Sequence, residues 1–193
     1  MGSTVWCVGK NYLLHAKELN QPTEDEPLIF IKSICCIVND GSCITLPSFS
    51  KHIDYEVELA FLLDENLKFS HVSVALDLTA RDVQQECKKK GLPWTLAKSF
   101  KQSLPIGKWK KISKENDTYI FSLHVNGQQR QSGSSRDMLF SSEAIRNYLV
   151  EKFPLSAKDI VLTGTPQGIS QVMPHDSASI FLNEEKVGEW NFL

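Results

Sequence analysis

The sequence has no apolar stretch long enough to cross a bilayer: the longest candidate, Ile29 to Val38, is interrupted by Lys32 and Ser33, and a spanning helix needs roughly 18 to 20 apolar residues. The first residues lack the basic start, apolar core and small-residue cleavage site of a secretory signal. Met1-Gly2 would suit myristoylation, but Trp6 stands where that motif wants Ser or Thr. These absences predict a soluble intracellular protein, of the cytoplasm or the mitochondrial matrix, with no membrane partner. Cysteine is sparse and unpatterned: five residues, an odd number, with Cys35 and Cys36 adjacent and no CxxC spacing, which excludes a disulfide framework. In Ile34-Cys-Cys-Ile37 the pair reads as small buried hydrophobes. Neither charge sign is in marked excess, the net being -2, and no basic patch is interleaved with aromatics, so nucleic acid is not an expected partner. Repeats, low-complexity tracts and linkers are also missing. The 193 residues therefore read as one domain, 1–193, large enough to bury its own core.

What is present is a succession of short, mostly strand-like segments. Val5 to Gly9 is an apolar run followed by helical spacing from Leu13 to Leu19. Asn20 to Pro27, acidic and with two prolines, reads as a loop able to carry a lid, before an apolar strand at Leu28 to Ile31. From Ile53 to Phe61 apolar and polar residues alternate strictly, the pattern of a half-buried strand. Val72 to Leu78 is a second apolar strand, after which Thr79 is placed as the N-cap of a helix through Lys89, stopped by Gly91-Leu-Pro93. Asn126-Gly127 between alternating segments predicts a type I′ hairpin, since both positions tolerate positive φ. Ser142 to Lys152 has helical periodicity with Ser141 or Ser142 as cap. Ile160 to Leu162 and segments around Ile180 and Val187 complete the strands.

Chemistry gathers in the alternating strand. Carboxylates at i and i+2 share a strand face, about 6 to 7 Å apart, so Glu56 and Glu58 can grip one cation, although a solvated polar stripe would have the same pattern. Asp77 decides between them, because a carboxylate ending the apolar run Val72 to Leu76 needs a partner or a metal. Three carboxylates with positions left for water and substrate suit Mg2+ or Mn2+. The absence of His and Cys from the cluster argues against zinc.

Six motifs occur in order: Gly9-Lys-Asn-Tyr12 with His15, Asp54-Tyr-Glu-Val-Glu-Leu59, Leu76-Asp-Leu-Thr-Ala-Arg-Asp82, Trp94 with Lys98-Ser-Phe100, Val125-Asn-Gly127 and Leu162-Thr-Gly-Thr-Pro-Gln-Gly168. In this order they resemble the fumarylacetoacetate hydrolase superfamily over nearly the whole chain. The resemblance implies a mainly β fold with short helices, an α+β arrangement of mixed β-sandwich rolls, in a homodimer. It implies Mg2+ or Mn2+ on Glu56, Glu58 and Asp77, and a His15–Glu18 dyad on a short lid helix. It also places Arg81 and Gln84 at the substrate. Lys98 follows an apolar stretch where partial desolvation could lower its pKa or where it could pair with a substrate carboxylate. Thr165 could bind a carboxylate through its backbone N–H and hydroxyl, or simply serve the turn. Asp82 reads as a residue of the helix N-terminus. His52, His71 and His124 match no motif.

The activity implied is metal-dependent C–C cleavage of a short 2-oxo acid, as acylpyruvate hydrolase or oxaloacetate decarboxylase, with the metal stabilising the resulting enolate. The alternatives are keto–enol tautomerisation of oxaloacetate and a degenerate, non-catalytic member. One stretch departs from the family pattern: Ala60 to Leu76 is too short for the helix expected there. The shortening predicts either an uncovered sheet face that a second copy buries, or a tight solvated turn built on Asp64, Asn66 and Lys68.

Overall fold

The structure, a computed structural model, describes residues 3–13, 25–113 and 118–193. Of the helix expected at Leu13–Leu19, all but Leu13 lies outside the described residues, and so do His15, Glu18 and positions 20–24 of the expected loop.

Ten strands of three or more residues and three α-helices organise the described chain: β1 (Thr4–Gly9), β2 (Leu28–Ser33), β3 (Ile53–Tyr55), β4 (Val57–Leu63), β5 (Phe69–Leu76), α1 (Arg81–Lys90), α2 (Thr95–Lys98), β6 (Ile120–Val125), β7 (Gln128–Ser134), α3 (Ser142–Lys152), β8 (Ile160–Leu162), β9 (Ser177–Leu182) and β10 (Glu185–Phe192). A six-stranded mixed sheet runs Lys110–Lys111, β5, β4, β8, β1, β2, with β1 and β8 parallel. A five-stranded sheet runs β7, β6, β9, β10, Cys43–Ile44. A small sheet pairs β3 with Ser170–Gln171 on one side and Thr79–Ala80 on the other. The fold is mostly β with few, short helices, as the family resemblance implied.

The main core lies between the two large sheets. Val57, Leu59 and Phe61 of β4 and Val72, Val74 and Leu76 of β5 pack with Phe121, Leu123, Ile180, Leu182 and Trp190 of the facing sheet. The opposite face of the six-stranded sheet is also covered. There Val5, Cys7, Ala60, Ala75 and Leu162 pack with Cys36, Leu104 and Ile106, and α3 closes Trp6, Val8 and Val161 under Ile145 and Leu149. The half-buried strand expected over 53–61 is thus corrected: every residue from Ile53 to Phe61 is buried. Alternation reports that two faces differ in polarity, not that the polar one meets water. The alternating run is also broken at Glu56, where the chain passes from the small sheet into the large one.

Two local expectations need correction. Thr79 is not the cap of α1; Ala80 holds that position without a side-chain bond, because the Thr79 hydroxyl is engaged with Lys98 Nζ at 2.7 Å. Of the cysteine pair, Cys36 is buried but Cys35 is exposed, since the chain turns there through a single 3-10 turn, Ile34–Cys36. Other expectations hold. Asn126 and Gly127 both have positive φ in the hairpin, and Ser141 caps α3 by accepting from Ala144 N. Gly91, left-handed, ends α1. Asp82 sits in the first turn of α1 and accepts from Ser50 Oγ and Lys51 N.

The shortened stretch forms a direct β4–β5 hairpin. Asp64 organises its turn, accepting from Asn66 N at 2.8 Å and Lys68 N at 2.9 Å. Beneath it Phe61 stacks on Phe69 at 4.7 Å, Phe61 meets Tyr119 and Arg146 of α3 reaches Leu67 O. No large hydrophobic of residues 60–76 is exposed. The uncovered sheet face does not exist, and the solvated turn is the outcome.

Candidate metal and substrate site

Antiparallel register places Glu58 opposite Ala75, so Asp77, two residues beyond Ala75, points to the same face as Glu58. Glu56 precedes β4 and shares that face, its carbonyl accepting from Asp77 N at 2.8 Å. Oxygen atoms of Glu56, Glu58 and Asp77 all lie within 4.8 Å of one another, and the three side chains are buried. A solvated acidic stripe, the alternative left open by the spacing, is therefore ruled out.

Among the described residues, three cations pair with these carboxylates. Lys98, buried at the end of α2, donates to Glu56 Oε2 at 2.8 Å and Asp77 Oδ2 at 2.6 Å. Lys32 of β2 reaches Asp77 Oδ1 at 2.7 Å and the carbonyls of Leu78 and Lys98. Arg81 donates to Asp54 Oδ2 and Gln84 Oε1, both at 2.7 Å, and to Glu56 Oε1. Arg81 and Gln84 are buried at 7% and 4% exposure, so they do not belong to an open helix face. Asp54 also lies 2.8 Å from His52 Nε2 at the surface, which gives a histidine outside every motif a contact with this network.

Glu58 is the least compensated of the three carboxylates. Gly164 N donates to it at 2.7 Å. Burial first, then the Asp77 and Glu56 carboxylates, push its carboxyl well above the usual range, against the pull of Lys98 and Gly164. Of the two readings left open for Lys98, lowering by desolvation is not the outcome: burial pulls its pKa down, but Asp77 and Glu56 outweigh that and the net direction is up. Lys98 is thus a fixed cation at neutral pH. Thr165, at 3% exposure, accepts from Gln131 Nε2 at 2.9 Å, and Gln131 in turn accepts from Val57 N.

These side chains meet in one cleft, lined by Glu56, Glu58, Arg81, Gln84, Lys98 and Thr165 together with Lys10, Phe30, Lys88 and Trp94. Sequence reasoning missed Lys32, Asp54 and Gln131. Lys32 had a legible signal, since a lysine inside an apolar run needs a buried partner as much as Asp77 does. Gln131, a polar residue on an ordinary hairpin, had none.

The donor set fits a hard divalent ion. It is all oxygen and clustered, and Lys98 already bridges two of the three carboxylates as a cation would.

Comparison with known proteins agrees with this geometry. Residues 4–189 match the family model "Fumarylacetoacetate (FAA) hydrolase C-terminal". A mouse protein named oxaloacetate tautomerase FAHD1, mitochondrial, is 38% identical over 187 residues, covering 91% of this chain and 85% of its own. Oxaloacetate tautomerase YcgM of Escherichia coli is 37% identical over 191 residues, covering 92% and 87%. Among solved structures, fumarylpyruvate hydrolase from Pseudomonas aeruginosa in complex with Mn2+ and pyruvate superposes with a TM-score of 0.91 at 28% identity, over 100% of this chain and 90% of that one. With the matched span, the fold and the ordered motifs in agreement, the chain belongs to the fumarylacetoacetate hydrolase family.

Proposed function

We propose that this protein is a Mg2+- or Mn2+-dependent enzyme acting on a short 2-oxo acid, with oxaloacetate keto–enol tautomerisation as its first activity. The observation that carries the reading is the buried triad of Glu56, Glu58 and Asp77 with its oxygens within 4.8 Å, facing a cleft that also holds Arg81, Gln84 and Thr165. The names of the mouse and Escherichia coli relatives favour tautomerisation over cleavage. A second reading, C–C cleavage as acylpyruvate hydrolase or oxaloacetate decarboxylase, is favoured by the fumarylpyruvate hydrolase whose structure holds Mn2+ and pyruvate. A homodimer is part of the proposal.

Glu56, Glu58 and Asp77 would hold the ion, which when bound supplies Lewis-acid stabilisation of negative charge on the keto oxygen. The protein's own residues do the rest. Arg81 is pinned between Asp54, Glu56 and Gln84, so it presents fixed positive charge to a carboxylate without reorganising. Gln84 gives its carbonyl oxygen to Arg81, which leaves the amide N–H groups for substrate. Lys98 keeps its proton and acts as a charge, not as a base. Proton transfer to and from carbon falls to the His15–Glu18 dyad that the family resemblance implies.

The test follows keto and enol oxaloacetate by NMR and product mass by spectrometry, with acetylpyruvate and fumarylpyruvate beside them, and Mn2+ binding by calorimetry. Keto–enol exchange that requires Mg2+ or Mn2+, and is lost with Mn2+ affinity in Glu56→Ala and Asp77→Ala, is the expected result. Unchanged Mn2+ affinity in both variants overturns the metal assignment. Cleavage products without enhanced exchange would replace the first reading by the second.

A further inference from the structure

Beyond the triad, the cleft has a second polar feature that the mechanism leaves unused. Lys88, in the last turn of α1, lies at its mouth, with its ammonium 5.1 Å from the centre of the Trp94 ring. Trp94 tilts against Phe30 at 6.1 Å, and the Phe30 ring faces the Lys98 ammonium at 4.9 Å. Two aromatic rings therefore set the spacing between Lys88 and the lysine that touches the triad. Among the described residues no acidic side chain forms an ion pair with Lys88. Burial, and after it Arg81 and Lys10, draw its pKa down, as they do for a cation held near like charge.

The formal charge of the site points to what would complete it. Four carboxylates (Asp54, Glu56, Glu58, Asp77) face three cations paired with them (Lys32, Arg81, Lys98), and Lys10, which also lines the cleft, brings the formal charge to zero. A divalent ion turns that into two net positive charges, of which the carboxylate of a 2-oxo acid neutralises one. Lys88 adds a further positive charge, with no ion-pair partner among the described residues. A ligand with a second carboxylate would match it, and an ammonium resting on an indole face at a cleft rim is well placed to receive one.

We propose that Lys88, held on Trp94, reads a second carboxylate at the metal-distal end of the substrate and so selects 2-oxo dicarboxylates over 2-oxo monocarboxylates. The inference rests on the triad being the seat of the metal and the 2-oxo acid head. Its test separates the two. Full-length protein loaded with Mn2+ is titrated with pyruvate, which has the head alone, and with oxaloacetate and 2-oxobutanoate, matched in carbon number but differing by one carboxylate. A charge-assisted contact corresponds to a preference of about ten-fold or more, so the parent should bind oxaloacetate at least about ten-fold tighter than 2-oxobutanoate. Lys88→Met, which keeps the stem on Trp94, should close that gap while Mn2+ and pyruvate affinities stay at parental values, and Lys88→Arg should retain it. A gap that survives in Lys88→Met overturns the proposal. So does a parallel loss of affinity for all three acids, which would make Lys88 a structural residue. Failure of the parent to bind Mn2+ and pyruvate overturns the reading of the triad and this proposal together.

Discussion

Glu58 carries the clearest consequence at the scale of single residues. Its carboxyl is raised above the ordinary 4.5 by burial and by Asp77 and Glu56, so the folded protein holds this proton more tightly than the unfolded chain does. That contribution to stability is fully present below the unfolded pKa and is lost as pH rises through the folded value. The metal-free protein should therefore lose urea resistance as pH rises above the ordinary carboxyl value of 4.5. Glu58→Gln, neutral throughout, should show a shallower loss, and Mn2+ should restore the parent at the upper end. Equilibrium urea unfolding across this range checks it; parallel pH profiles for parent and Glu58→Gln would refute the assignment. The three carboxylates themselves were legible in the sequence because strand alternation and an acid ending an apolar run are both local signals. Lys32 carried the same kind of signal as Asp77. It is the residue whose partner, 45 positions away, could not be read from spacing.

At the scale of elements, Gly164 joins the turn after β8 to the site. Its φ of +92° lies in the left-handed region, a Cβ there would come within 2.9 Å of Asn11 Cβ and 3.1 Å of Val8 O, and its N–H is bonded to Glu58. Gly127, at φ +76° with nothing within 4 Å of a Cβ, shares the backbone need without the crowding. Gly127→Ala should then cost about 1 kcal/mol. Gly164→Ala should cost more, about 2 to 3 kcal/mol, and should weaken Mn2+ binding as well, because the turn must move away from Glu58. Thermal unfolding and calorimetry on both variants compare them, and equal effects would mean that the Glu58 contact is incidental. Elements with local punctuation were readable in the sequence: the Asn126-Gly127 hairpin, α3 with its Ser141 cap, and the strand at Ile160–Leu162. The division of 53–61 into β3 and β4 was not, because it depends on which strands arrive as neighbours, and these come from Thr79–Ala80, Ser170–Gln171 and β8. The role of Thr79 was misread for the same reason: Lys98 competes for a hydroxyl that local rules assign to a cap.

For the whole molecule, the association expected from a bare sheet face loses that basis, since the β4–β5 hairpin is covered from within. Exposed apolar side chains lie elsewhere. Ile31 on β2, the edge strand of the six-stranded sheet, is 55% exposed, and Leu92 and Leu96, beside and on the adjoining α2, are 51% and 56% exposed. Exposed apolar side chains at an edge strand suit a contact surface, and the homodimer proposed above would use this edge. Light scattering over a dilution series should report a dimer, with Tm rising with protein concentration. Ile31→Lys together with Leu96→Lys should shift the mass toward the monomer, and a concentration-independent monomer in the parent would end the idea. The Asp64–Lys68 turn has a different consequence. Glu56 and Asp77 flank the open end of the β4–β5 hairpin, while the turn closes the other end, seven residues of β4 away, or roughly 23 Å at the usual strand rise. Chain length there is uncoupled from the chemistry, so the turn can accept extra residues at little thermodynamic cost. A reporter peptide or fluorophore carried between Glu65 and Asn66 would ride on the protein as a label its cleft never senses.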